Sequence, residues 1–219
     1  MLSLSAIPTR RKSLVRYLRM LILIAVFTMA TAGFAQGGAA AAPSPAPQAQ
    51  PSPAPTTNLA AVVERQVSQY EKNVIDVAEA MPEDKYNFSP ASLNIPGAAY
   101  KDVRTFAQLL KHTGTANFRF WTTLTGEKMP TNITGPNGPD ELKSKAEIIQ
   151  FLKDSFAVGH RAAKTISPEN ATEQVSFFGR PAARIFVASG AVIHAADEYG
   201  QMVEYLRMNG IVPPASAGR

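Results

Sequence analysis

The amino-acid sequence predicts an all-α protein: a four-helix bundle preceded by a signal peptide and a disordered Ala/Pro-rich linker. Three observations predict it. Four stretches beyond residue 57 place apolar residues three and four apart, the period of an amphipathic helix. Segments rich in Pro, Gly and Asn separate them. No stretch shows the every-other-residue alternation of a half-buried strand.

The first 57 residues contribute nothing to that bundle. Five basic side chains (Arg10, Arg11, Lys12, Arg16, Arg19) and no acid occur in the first 35 residues. Met20 to Ala32 is then almost unbroken apolar chain, and Gly33-Phe34-Ala35 supplies small residues where a signal peptidase needs them. The strongly apolar stretch is about a dozen residues, against roughly 20 for a spanning helix, so residues 1–35 read as a cleaved signal peptide. The product is an exported protein, periplasmic or secreted. Thr9-Arg10-Arg11-Lys12-Ser13-Leu14 is similar to a twin-arginine signal, but Ser13 replaces the usual aromatic residue, so the export route stays open. Residues 36–57 hold six Pro and seven Ala among 22 residues, with no charge and no aromatic ring. Such a composition cannot offset the entropy of ordering the chain, and it predicts an extended tether.

Charge and cysteine content narrow the function. The chain has 22 basic and 17 acidic residues, and setting aside the five N-terminal cations leaves 17 against 17. An electroneutral body has little counterion-release drive toward nucleic acid. With no Cys there are no disulfides, no thiolate metal sites and no Cys nucleophile; a metal would need His, carboxylate, amide or water.

In the expected domain, residues 58–219, Asn58 can cap a helix carrying Val63, Val67, Tyr70, Val74, Val77 and Met81 on one face, ended by Pro82. The second stripe, from about Tyr100 to Thr125, runs through Phe106, Leu109, Leu110, Thr113, Asn117, Phe120, Trp121 and Leu124. The third, from about Leu142 to Ile166, uses Ile148, Leu152, Ser155, Gly159 and Ala162. The fourth spans about Pro181 to Asn209, with Pro181 in its first turn and Gly210 as its stop. Ile185 to Ala196 carries no charge on any face, which predicts a helix surrounded by the others. Long loops between the helices suit an up-and-down or a crossover bundle.

Three histidines exist, His112, His194 and His160. His194 and Glu198 are four apart, so both project from one helical face about one turn apart, a spacing that suits chelation of one ion or mutual hydrogen bonding. Gln201 and Tyr205 continue that polar line. His112 lies at the edge of the second apolar stripe and is open to a cleft or to solvent; His160 lies off its stripe beside Arg161 and reads as solvated. Ser189 sits in a helix interior with no Asp/His pattern beside it, unlike an activated nucleophile.

These residues carry a family resemblance. Met81–Pro90 (MPEDKYNFSP) after the first helix, Gln108–His112 (QLLKH) in the second, and His194–Pro214 (HAADEYGQMVEYLRMNGIVPP) in the last resemble the DinB-like superfamily, which is distinct from the DNA polymerase sharing its name. The resemblance covers residues 59 to 216 and implies a four-helix bundle. In many members it implies a divalent metal held by a His on the second helix and a His-x-x-x-His pair on the last. By position those ligands match His112, His194 and Glu198, with Glu198 standing where the family pattern has its second His. Two His and a carboxylate remain a competent set for Zn, Ni, Fe or Mn. A carboxylate donor makes a bound water less acidic than a third imidazole would. The resemblance implies thiol transfer or hydrolysis on a small molecule, with a low-molecular-weight thiol among the candidate partners and a homodimer left open; no nucleic acid is expected, and no membrane after signal cleavage. The alternative is a non-catalytic periplasmic binding or interaction module whose metal site has degenerated.

Overall fold

The computed structural model of the protein describes residues 58–218; the expected signal peptide (1–35) and linker (36–57) lie outside the described residues. Helix α1 spans Leu59–Ala80, and the Asn58 side chain caps it by accepting from the Ala61 N–H at 3.2 Å. Val63, Val67, Val74 and Val77 are buried, as the periodicity predicts, and Met81 closes the stripe fully buried. Pro82 ends the helix, and the following turn folds back so that the buried Tyr86 hydroxyl donates to the Ala78 carbonyl at 2.8 Å.

Helix α2 spans Phe106–Thr125 and α3 spans Lys145–Ala163. Both begin later than their apolar stripes suggest, because capping boxes set their starts: Thr105 with Gln108, and Ser144 with Glu147, reciprocally satisfy first-turn N–H groups. Periodicity says which face is buried; the cap says where the helix begins.

The expectation of an all-helical chain needs one correction. Strands β1 (Gln174–Phe177) and β2 (Arg180–Ala183) form an antiparallel hairpin, pairing Gln174 with Ala183 and Phe177 with Arg180. Pro181 therefore lies in an edge strand, where its missing N–H is tolerated, and not in a first helical turn. Four residues per strand are too few for alternation to register, and Phe178-Gly179 lacks the usual Asn-Gly or Asp-Gly signal. Helix α4 spans Arg184–Met208 and ends at Gly210, whose φ of 72° lets the Ile211 N–H reach the Leu206 carbonyl at 2.9 Å.

The helices pack in the ring α1, α3, α2, α4, each touching its two ring neighbours. Consecutive helices α1 and α2 are thus diagonal, as are α3 and α4, which is the crossover form of the bundle. The loop from 81 to 105 and the hairpin segment from 164 to 183 make the two crossings. Phe106, Leu109, Leu110, Leu152, Phe156 and Met202 are among the side chains with almost no exposure; full burial of each such side chain contributes about 1.5–3 kcal/mol. Asn117 and Ser155, polar members of two facing stripes, are satisfied by each other across the α2/α3 contact at 3.1 Å.

Helix α4 is not surrounded. Val187, Ala188, Ala191, Ala195 and Met202 face inward, whereas Phe186 and Ile193 are 63% and 66% exposed. In a four-helix ring every member keeps an outer face, and absence of charge does not bury it. No helix among the described residues is long and apolar enough to cross a membrane.

Candidate metal centre

Adjacent helices α2 and α4 carry the three candidate ligand side chains to one point. His194 and Glu198 project from successive turns of α4, and His112 meets them from the second turn of α2. The two Nε2 atoms are 3.3 Å apart, and Glu198 Oε1 lies 3.5 Å from each. Donors held ~2.1 Å from a common tetrahedral centre stand ~3.4 Å from one another, so the triangle has the size a small divalent ion requires. The three form the one His/Cys/Asp/Glu group of this kind among the described residues.

A loop fixes the first imidazole. His112 Nδ1 donates to the Pro136 carbonyl at 2.6 Å, which leaves Nε2 as the nitrogen with the free lone pair. That contact depends on Gly138, whose φ is +75°; a Cβ there would stand 2.8 Å from Lys111 Cβ and 3.1 Å from the Lys111 carbonyl. Lys111 Nζ secures the same loop by donating to the Pro139 carbonyl at 2.9 Å.

Electrostatics push all three groups toward neutrality. Burial holds His112 below the usual histidine range despite its bond to Pro136, with the Arg104 charge adding to the effect. Burial and the neighbouring His112 push His194 down to about 4, and burial pushes Glu198 up to about 7 against the pull of Arg104. Near neutral pH both imidazoles therefore present lone pairs. Glu198 Oε2 and His194 Nδ1, the atoms of these two residues outside the triangle, are buried with no hydrogen-bond partner among the described residues. The donor chemistry and spacing fit a divalent ion.

Beside the triangle lies a cavity of about 380 Å³ lined by His112, Thr115, Ala116, Arg119, Phe120, Pro136, Phe178 and His194. Across Pro136 a second, more polar recess of about 360 Å³ is lined by Arg104, Asn137, Gln201 and Tyr205, among others. Arg104 is held between loop and helix: its Nε donates to Asn137 Oδ1 at 2.8 Å, and its carbonyl accepts from the Tyr205 hydroxyl at 2.9 Å.

The remaining candidates separate cleanly. Gln201 turns outward to donate to Asp197, and Tyr205 braces Arg104, so neither joins the triangle. Ser189 is exposed and donates to the Phe186 carbonyl. The reading of His160 as solvated is corrected: it is half-buried between α3 and α1, with Nδ1 2.8 Å from Glu64 and Nε2 2.7 Å from Glu71. Its face of α3 is off the main stripe yet lies against the acidic flank of α1. Arg119, Phe120, Pro136 and Phe178 were not among the sequence candidates. Arg119 follows His112 by seven residues, two turns along one face, which was a readable signal; the Pro136 carbonyl carries none, being backbone delivered by a loop.

The model of the DinB superfamily matches residues 66–202, a span that holds most of α1 and all three residues of the triangle. The chain belongs to the DinB superfamily. A crystal structure of a DinB-like protein from Bacillus cereus is similar in fold, with a TM-score of 0.52 and 19% identity, covering 69% of this chain and 93% of that one. No curated protein sequence matches the chain significantly.

Proposed function

We propose that this DinB-superfamily domain is exported, holds one divalent metal ion at His112, His194 and Glu198, and acts on a small molecule by thiol transfer or, secondarily, hydrolysis. The convergence of three donor atoms at 3.3–3.5 Å beside an open cavity carries this reading. Export is supported by the basic, apolar and small-residue order of residues 1–35.

A bound ion supplies Lewis acidity that favours the deprotonated form of a thiol or a water. Glu198 tempers that acidity by adding negative charge. An ordinary thiol titrates near ~8.5, whereas water requires a fall from ~15.7, so a tempered centre suits a thiol better than a water. Pro136 keeps His112 in the competent tautomer, and the Phe120 and Phe178 rings supply apolar lining to the cavity.

A second reading rests on the raised pKa of Glu198. As a neutral acid it would hydrogen-bond to the imidazoles and lock α2 against α4, leaving a non-catalytic binding module with a degenerate metal site. Elemental analysis of the purified protein and its Glu198→Ala and Glu198→His variants separates the two. One equivalent of metal in the wild type, lost in Glu198→Ala, supports ligation; metal in Glu198→His alone supports degeneration. Recovery of the chain from the periplasmic or secreted fraction with an N-terminus near Gln36 tests export, and retention of the intact N-terminus in the cytoplasm would refute it.

A further inference from the structure

Three half-buried arginines occur among the described residues, and they differ in one respect. Arg104 donates to Asn137, and Arg184 donates to the Leu124 carbonyl and to Thr165. The Arg119 guanidinium has no ion-pair or hydrogen-bond partner among the described residues, although it lines the cavity beside the His/His/Glu triangle. It is also the one lining side chain with a fixed charge; no Asp or Glu lines that cavity. A guanidinium partly withdrawn from water and left without an acceptor is a recognition group for a carboxylate, sulfonate or phosphate.

The cavity also has an aromatic lining. His194, Phe120, Phe177 and Phe178 follow one another with ring centroids 6.1, 4.9 and 4.4 Å apart, leading from the triangle to the hairpin tip. Gly190 makes room for Phe120: a Cβ there would stand 3.0 Å from the ring. Phe178 occupies the first position of a two-residue hairpin turn with φ of 49°, followed by Gly179 at 73°. Stability alone favours Asn or Gly there, since a left-handed backbone strains a bulky residue and a ring that is 67% exposed recovers little by burial. Backbone strain at a cavity mouth points to a ring kept for contact with a ligand.

We infer that this cavity selects an anionic small molecule with a flat apolar body, its negative group paired with Arg119 and its body laid against Phe120 and Phe178. Arg104, beyond Pro136, adds to the positive field on the same side. The inference deepens the proposed metal-dependent reading by naming its substrate class, yet Arg119 is not a metal donor, so the two can fail separately.

Calorimetric titration of the full-length protein with 1-naphthoate and with neutral 1-naphthylmethanol tests it, once in chelator and once after zinc loading, with metal content measured alongside. In chelator, naphthoate binds more tightly than the alcohol. Arg119→Gln weakens naphthoate about tenfold and leaves the alcohol within about twofold, as loss of one charge-assisted pair requires. Arg119→Lys retains part of the preference. Phe178→Asn weakens both probes while the melting temperature holds or rises, a combination a purely structural ring would not produce. Equal binding of the two probes by the wild type, or unchanged naphthoate affinity in a folded Arg119→Gln variant, overturns the inference. Failure to take up zinc with the Arg119 effect intact in chelator would sink the metal reading alone.

Discussion

Two clusters in this protein are built from the same ingredients and reach opposite ends. Each joins histidine and glutamate across a helix–helix contact. Between α2 and α4, two imidazoles share one carboxylate, the three donor atoms form a triangle, and burial drives every member toward its neutral form. Between α3 and α1, one imidazole is shared by two carboxylates, one on each ring nitrogen. That arrangement needs both nitrogens to donate, and the Glu71 and Glu64 bonds raise the His160 pKa despite the opposing effect of burial. The first cluster tends toward neutrality and turns its donor atoms to one point; the second makes its own cation and is satisfied. The stoichiometry and direction of the donors, not the residue types, separate a candidate metal site from an ionic cross-link.

Mutations that disturb one cluster and spare the other sharpen this contrast. The largest effect is expected for His194→Ala, which removes a donor: metal affinity by competition with a chromophoric chelator falls about 100-fold or more. His160→Ala, equally a loss of imidazole, leaves metal affinity unchanged. Gly138→Ala changes no donor but forces the loop away from Lys111, so the Pro136 carbonyl no longer orients His112; metal affinity falls about tenfold in the same assay. An unchanged affinity in that variant would show that the loop contact is incidental.

The smallest effect belongs to the ionic cluster and appears in stability. The three side chains are 25% to 36% exposed, so solvent screening holds the contribution of His160 to about 1 kcal/mol, or ~3 °C in melting temperature. Its folded pKa is raised above the unfolded value. The stabilisation is therefore fully present below the ordinary histidine pKa and lost as pH rises through the folded one. The gap in melting temperature between wild type and His160→Ala should be widest below the ordinary histidine pKa and should narrow as pH rises above it. A gap independent of pH would mean the ring acts by packing alone.

The contrast was only half legible in the sequence. His194 and Glu198 are visible as a pair because four residues make one helical turn, and the superfamily resemblance tied them to His112. Nothing comparable marked His160: Glu64 and Glu71 sit some ninety residues away on another helix, and the partner of a long-range ion pair has no local period. The hairpin was missed for a related reason. Its strands are four residues long, and its turn uses Phe178 where turn chemistry calls for Asn, Asp or Gly, so the strain that makes the position informative also hid it.

What the sequence determined by itself was the number and inward faces of the helices, because a 3.6-residue period and a capping side chain act within a turn or two. Tertiary structure alone decided the crossover ring that makes α2 and α4 neighbours, the loop carbonyl that selects the His112 tautomer, and the Arg119 guanidinium beside the triangle, unpartnered among the described residues. Each of these depends on groups distant in the chain meeting at contact distance. Such meetings are set by how preformed faces pack, and no window of sequence contains them.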